Sequence, residues 1–199
     1  MSPARQLWAA LARPQGALLR WLSVLLIGAY CAPPLFLHSA PMRELPQYAA
    51  LSRMLVHLGD PRYGFEPYYM LDPWRGASVL PLWAWGQLAD AIGLARATRL
   101  VVCVSVLLQQ LGVCAVLRAQ RKPLLLALLG LPLAYANLFY LGLVPALLSL
   151  GLAFLSIAWL MRPRRARVAQ LWLLAISCAL PLTHPLGLLL VLAFALFTL

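Results

Sequence analysis

Long apolar stretches alternate with short basic segments along most of the chain. Four stretches contain no Asp, Glu, Lys or Arg, and they cover positions 21–37, 100–117, 124–161 and 168–199. A helix needs about 20 apolar residues to cross the hydrocarbon core of a bilayer. The pattern therefore predicts an all-α fold, a polytopic transmembrane helical bundle with about six spans. We expect one span in each of the first two stretches and two short spans in each of the last two.

Composition points to the same class of protein. Apolar residues make up 63% of the 199 positions and charged residues only 11%, whereas charged residues form about 25% of a soluble domain. This excludes an ordinary soluble globular domain. Because the last apolar stretch runs to the final residue, we expect residues 1–199 to be a single transmembrane domain from the N-terminal part of a longer protein.

The distribution of charge predicts the orientation in the membrane. Basic residues cluster in residues 1–20, at 118–122 and at 162–167, whereas all five acidic residues lie between Glu44 and Asp90. Basic clusters beside apolar stretches are typical of cytoplasmic loops. We therefore expect residues 1–20 to be cytoplasmic and residues 38–98 to form a long extracytoplasmic loop. The net charge of +11 is spread over these membrane borders, which argues against nucleic acid as a partner and favours membrane lipids.

The outer loop contains two segments with helical patterns. Pro46 suits the first turn of a helix, and the apolar spacing that follows predicts an amphipathic helix lying on the membrane, with Arg53 and His57 on its other face. The apolar positions are Leu51, Met54, Leu55 and Leu58. Residues 77–94 are apolar and aromatic but include Asp90, and they predict an interfacial or re-entrant helix.

Candidate chemistry concentrates at the outer surface. The stretches 100–117, 124–161 and 168–199 contain no Asp, Glu, Lys or Arg, which disfavours a proton-coupled transporter or a channel. The predicted topology places Glu44, Asn137 and His184 together at the outer rim. Each alone is typical of an ordinary loop or turn residue, but together they suggest a site. The cysteines follow no metal-ligand spacing, so no metal site is predicted, and a metal requirement is left open.

Several short motifs resemble those of the GT-C superfamily of membrane glycosyltransferases and of uncharacterised bacterial membrane proteins related to it. The matching segments are Glu44-Leu45-Pro46-Gln47-Tyr48, Tyr68-Tyr69, Asn137-Leu138-Phe139-Tyr140-Leu141-Gly142 and His184-Pro185-Leu186-Gly187. The chain departs from the usual pattern in two places. Glu44 stands where Asp is usual, and Tyr48 stands where His is more common.

The resemblance implies a sugar transferase that uses a polyprenyl-phosphate sugar donor and an extracytoplasmic acceptor. Glu44 is then the catalytic carboxylate, and the expected substrate-binding residues are Gln47, Tyr48, Arg53, Asn137 and His184. Basic residues of the loop are candidates for the lipid phosphate, although contacts with lipid head groups explain them equally well. They are Arg43, Arg53, Arg62 and Arg75.

Two other readings stay open from the sequence. A non-catalytic integral membrane subunit or lipid-handling scaffold would use the long loop as a docking surface, and a channel or transporter ranks third. The chain has fifteen Arg and one Lys, which suggests a GC-rich bacterial genome. We accordingly expect a multi-pass protein of a bacterial inner membrane.

Overall fold

The computed structural model describes residues 17–36, 42–70, 78–162 and 166–198. The predicted cytoplasmic segment before residue 17 and the candidate Arg75 lie outside these ranges. The described residues form helices and turns without strands, which confirms the all-α prediction. The α-helices are α1 (Ala17–Cys31), α2 (Pro33–Phe36), α3 (Leu45–Val56), α4 (Val79–Ile92), α5 (Leu94–Ala119), α6 (Leu131–Ala134), α7 (Asn137–Leu141), α8 (Val144–Leu160), α9 (Ala166–Thr183) and α10 (Pro185–Thr198).

Helix α5 lies at the centre of the fold and includes the predicted span 100–117. Its 26 residues correspond to about 39 Å, and it is the one helix among the described residues that is both long and apolar enough to cross a membrane. Helices α8 and α10 are apolar but shorter. A membrane-spanning helix is therefore consistent with the fold, whereas the six-span arrangement stays a prediction.

Helices α5 and α8 run in the same direction and pack closely, and glycines at their contact allow the close approach. A Cβ atom at Gly112 would lie 2.6 Å from Cβ of Phe154, and one at Gly151 would lie 2.8 Å from the carbonyl carbon of Leu108. Neither helix has room for a side chain at these positions. Small residues at such crossings are typical of helices that associate within a membrane.

The chain between α5 and α8 does not form a regular helix. A 3₁₀-helix at Leu124–Gly130 is followed by the short helices α6 and α7. Pro132 supplies no backbone N–H, and Gly130 disfavours helix. A continuous α-helix therefore does not form in the first part of the apolar stretch 124–161, where the sequence predicts a short span. The Tyr135 hydroxyl holds this segment to α1 by donating a hydrogen bond of 2.7 Å to the Tyr30 carbonyl.

Helices α9 and α10 form a hairpin on α8, with the bend at His184. The backbone N–H of Gly187 donates a hydrogen bond of 3.0 Å to Oγ of Ser149, and a Cβ at Gly187 would lie 2.6 Å from the Ser149 carbonyl oxygen. Gly187 thus lets the start of α10 contact α8. The chain turns where Thr183-His184-Pro185 suggested a bend, while the assignment of both helices as spans stays a prediction.

The two helices of the predicted outer loop pack against each other. Helix α3 buries Leu45, Ala49 and Ser52, and Gly86 of α4 lies so close to the backbone of Ser52 that a Cβ there would collide with it. The α3 face predicted to lie on the membrane is only partly buried, because the helix turns its small residues toward α4. Gly93 follows the end of α4, and its φ of +87° interrupts the helical backbone before α5 begins.

Candidate functional site

Glu44 sits at the N-terminus of α3, and the preceding chain is fixed to the end of α7. The backbone N–H of Arg43 donates a hydrogen bond of 3.0 Å to the Tyr140 carbonyl, and the N–H of Glu44 donates one of 2.9 Å to the Leu141 carbonyl. These bonds use carbonyls at the C-terminus of α7, which lack partners within their own helix. Two segments that the sequence singled out separately therefore form one structural unit.

Gly142 makes this contact possible. Its φ of +79° lies in the left-handed region, and a Cβ atom there would lie 2.8 Å from the Leu45 nitrogen and 3.0 Å from the Glu44 nitrogen. Glycine adopts this backbone without the strain that a side chain brings. Gly142 closes the Asn137–Gly142 motif, so its packing against Glu44 gives that motif a structural role that the sequence pattern did not reveal.

The Glu44 side chain is half-buried and makes no capping hydrogen bond to its own helix. Among the described residues it takes part in no ion pair. Glu44 thus combines partial burial, a fixed backbone and a carboxylate without a basic partner in the described part of the chain, which are properties expected of a proton-accepting group.

Tyr48 lies one turn after Glu44 and packs its ring against the core beside α3. Burial, and secondarily the negative charge of Glu44, raises the pKa of Tyr48 above its usual value. The phenol therefore keeps its proton at neutral pH and can donate a hydrogen bond near Glu44. Gln47 is exposed on the same helix, and Asn137 is exposed at the start of α7, one short helix away from the Glu44 contact.

His184 lies apart from this unit, at the bend between α9 and α10. Its Nδ1 accepts a hydrogen bond of 3.3 Å from the Leu186 backbone N–H, which leaves Nε2 as the protonated nitrogen of the neutral ring. The bend packs near Ser149, about 7 Å along α8 from its start next to Gly142. The structure thus places His184 toward the Glu44 end of α8, and the described residues show no hydrogen bond that joins it to Glu44 or Asn137.

The candidate phosphate-binding arginines differ in their partners. Arg53 pairs with Asp90 and donates a hydrogen bond of 3.2 Å to the Tyr63 hydroxyl, and Arg62 pairs with Asp60 at 2.6 Å. Of the three candidates that the structure describes, only Arg43 takes part in no ion pair. Arg43 is exposed and adjacent to Glu44, which makes it the better candidate, while Arg53 has a structural task between α3 and α4.

A polar cluster that sequence reasoning missed joins α3 to α4. Nε2 of His57 lies 3.0 Å from the Asp90 carboxylate that also binds Arg53, and the His57 ring stacks on Tyr63 at a centroid distance of 4.2 Å. The hydrogen bond with His57, together with the Arg53 charge, lowers the pKa of Asp90. The spacing of Arg53 and His57, and an Asp within an apolar helix, were the available clues to this cluster.

No metal centre is evident in the part of the chain that the structure describes. That part contains no group of three or more His, Cys, Asp or Glu side chains close enough to hold a metal ion. Comparisons with protein-family models, with curated proteins and with solved structures gave no match.

Proposed function

We propose that the protein is a GT-C-like membrane glycosyltransferase that transfers a sugar from a polyprenyl-phosphate donor to an extracytoplasmic acceptor. It would act as a multi-pass protein of a bacterial inner membrane, with its N-terminus in the cytoplasm. The observation that carries the proposal is the half-buried Glu44. Backbone hydrogen bonds of residues 43 and 44 fix its main chain against Gly142. The resemblance of the motifs supplies the reaction class.

Glu44 acts as the general base in this proposal. Its carboxylate accepts the proton of an acceptor hydroxyl while the hydroxyl oxygen forms a bond to the anomeric carbon of the sugar. The bond between that carbon and the phosphate oxygen breaks, and the polyprenyl phosphate leaves with the electron pair. The geometry supports this role because the backbone of Glu44 is fixed while its carboxylate has no basic partner among the described residues.

The neighbouring residues take roles that match their exposure. Arg43 pairs with the donor phosphate through its N–H groups, and the exposed Gln47 and Asn137 hydrogen-bond to sugar or acceptor hydroxyls. Tyr48 donates a hydrogen bond close to the base, since its phenol stays protonated. His184 binds substrate from the α9–α10 bend through its Nε2–H group.

The test of the proposal is sugar transfer by the full-length protein carrying Glu44→Gln. The amide keeps the shape of the side chain but accepts no proton, so the rate should fall by about 10²- to 10⁴-fold. Glu66→Gln is the matched control, because Glu66 is an exposed Glu in the same loop, and it should leave the rate unchanged. Glu44→Asp restores the residue usual in the resembling family and should retain partial activity.

The same experiment defines failure. If Glu44→Gln keeps more than about half of the wild-type rate while the protein is inserted normally, Glu44 is not the base and the proposed mechanism is wrong. Arg43→Gln adds an independent reading, since it should raise KM for the lipid donor more than it lowers kcat.

One observation favours the scaffold as a second candidate function. Tyr68 and Met70 are 82% and 92% exposed on the outer loop, next to the stacked rings of Tyr63 and Phe65. Exposed aromatic residues of this kind are typical of protein-binding surfaces. If transfer by the Glu44→Gln protein is normal and Tyr68→Ala instead releases a membrane partner, the scaffold is the correct function.

A further inference from the structure

An apolar cleft with a volume of about 460 Å³ lies between α1, α5 and α8. Leu107 and Leu111 line it from α5, Val24 and Ile27 from α1, and Leu155 from α8. The spacing of these residues is that of a single face on each helix. The volume falls within the range of about 300–1,000 Å³ that is usual for sites of small ligands.

Two arginines lie at one end of the cleft. Arg118 continues the α5 face toward the end of the helix, and Arg162 follows the end of α8; both line the same cleft. Neither pairs with a carboxylate among the described residues. All five acidic residues of the chain lie between Glu44 and Asp90, so the sequence around this end provides positive charge only.

The arginine end of the cleft lies at the end of the fold opposite Glu44. Gly112 contacts Phe154, and Gly151 contacts Leu108, so α5 and α8 run in parallel and both of their C-termini lie at the arginine end. Glu44 contacts the chain just before α8 begins. Arg121 and Lys122 add charge at the arginine end but do not line the cleft. In the orientation predicted from the sequence, this end faces the cytoplasmic leaflet.

We propose that this cleft binds one anionic phospholipid of the surrounding membrane. One acyl chain lies along the apolar walls, and the phosphate is held between Arg118 and Arg162. Guanidinium groups bind phosphate through paired charge-assisted hydrogen bonds, and basic pockets between membrane helices bind anionic head groups in general. A zwitterionic lipid gains less binding free energy from the two arginines than an anionic lipid, because its own positive charge lies next to the phosphate. The site is independent of sugar transfer and of Glu44.

Two variants test the two halves of the site separately. The double change Arg118→Gln and Arg162→Gln removes the positive charge and keeps hydrogen-bonding side chains. Gly28→Phe fills the cleft with a side chain, since Gly28 lines it and a Cβ there has no atom within 4 Å. The second variant introduces no clash at the Cβ position, so it tests the site even if the double variant does not fold.

Matched controls use neighbouring residues outside the cleft. Arg121→Gln with Lys122→Gln removes two charges from the same end of the molecule. Ala29→Phe adds the same ring to α1 at an exposed residue that does not line the cleft. The measurement is native mass spectrometry of the delipidated full-length protein titrated with phosphatidylglycerol, phosphatidylcholine or sn-glycerol 3-phosphate.

Phosphatidylglycerol should bind the wild type and both controls at least about tenfold more tightly than phosphatidylcholine. The double arginine variant should lose about 25-fold in affinity for it, since each basic residue contributes about a fivefold change at a membrane surface. Gly28→Phe should bind neither lipid at this site. The proposal is overturned if both lipids bind the wild type equally, or if glycerol phosphate binds as tightly as phosphatidylglycerol. It is also overturned if the Arg121→Gln, Lys122→Gln control loses as much affinity for phosphatidylglycerol as the double arginine variant, or if Gly28→Phe binds this lipid as tightly as the wild type.

Discussion

Glu44 and Gly142 are in direct backbone contact, although 97 residues separate them along the chain. A Cβ atom at position 142 would lie 3.0 Å from the Glu44 nitrogen, which donates its hydrogen bond to the neighbouring Leu141 carbonyl. The left-handed turn that ends α7 therefore sets the position from which α3 begins. Any change that lifts this turn also moves the candidate catalytic carboxylate.

Gly142→Ala should lower the rate of sugar transfer by more than its loss of stability explains. The left-handed backbone costs a residue with a side chain about 1–2 kcal/mol, and the new methyl group pushes against Leu45 and Glu44. Gly64→Ala is the matched control, because Gly64 also has a positive φ of +62° but no atom within 4 Å of the added Cβ. Transfer assays and thermal melting of both variants separate the shared backbone strain from the displacement of Glu44. Equal loss of activity in the two variants would contradict this role of Gly142.

Asp90→Asn should loosen the contact between α3 and α4. Asp90 is the carboxylate that binds both Arg53 and His57, so its neutralisation releases one side chain of α3 and the side chain that follows its end. Because ion pairs at exposed positions contribute modestly, we expect amide exchange in residues 45–56 to accelerate by about two- to fivefold. Asp60→Asn is the control, since Asp60 binds Arg62 within the same short turn and should leave exchange in α3 unchanged.

The contribution of Asp90 to stability should depend on pH. Since its pKa is lowered in the folded protein, the stabilisation is present above the unfolded value of about 4 and is lost as pH falls through the folded value. The difference in melting temperature between the wild type and Asp90→Asn should therefore shrink below about pH 4. Melting curves at pH 5, 4 and 3 check this, and a difference that grows between pH 5 and pH 3 would contradict it.

The sequence predicted the helical order better than it predicted the contacts. Apolar runs and basic borders placed α5, α8 and the bend at His184, because these features depend on local composition. The apolar composition gave no indication that Leu124–Gly130 forms a 3₁₀-helix. The pairing of Arg53 with Asp90 and the contact of Glu44 with Gly142 join distant segments, so a single sequence without its fold does not reveal them.

The glycine contact between α5 and α8 should be sensitive to a single methyl group. Gly151→Ala forces a Cβ into the Leu108 backbone, 2.8 Å away, and overpacking of this kind costs about 1–3 kcal/mol. Gly28→Ala is the control, because Gly28 is also helical but has free space at its Cβ and should gain about 0.5–1 kcal/mol from helix propensity. Thermal unfolding in detergent measures both. Equal effects of the two substitutions would show that the close approach of α5 and α8 is unimportant.

Labelling of single cysteines should reveal which side of the membrane each end of the fold faces. Pro67 and Gln120 are both exposed. Pro67 lies in the predicted outer loop, and Gln120 lies in the basic cluster that begins at Arg118. In a variant without Cys31, Cys103, Cys114 and Cys178, Pro67→Cys should react with an impermeant maleimide added to intact cells. Gln120→Cys should react only after the cells are opened, because basic borders of membrane helices face the cytoplasm. Labelling of Gln120→Cys in intact cells would reverse the orientation and place Glu44 on the cytoplasmic side, which would contradict transfer to an extracytoplasmic acceptor.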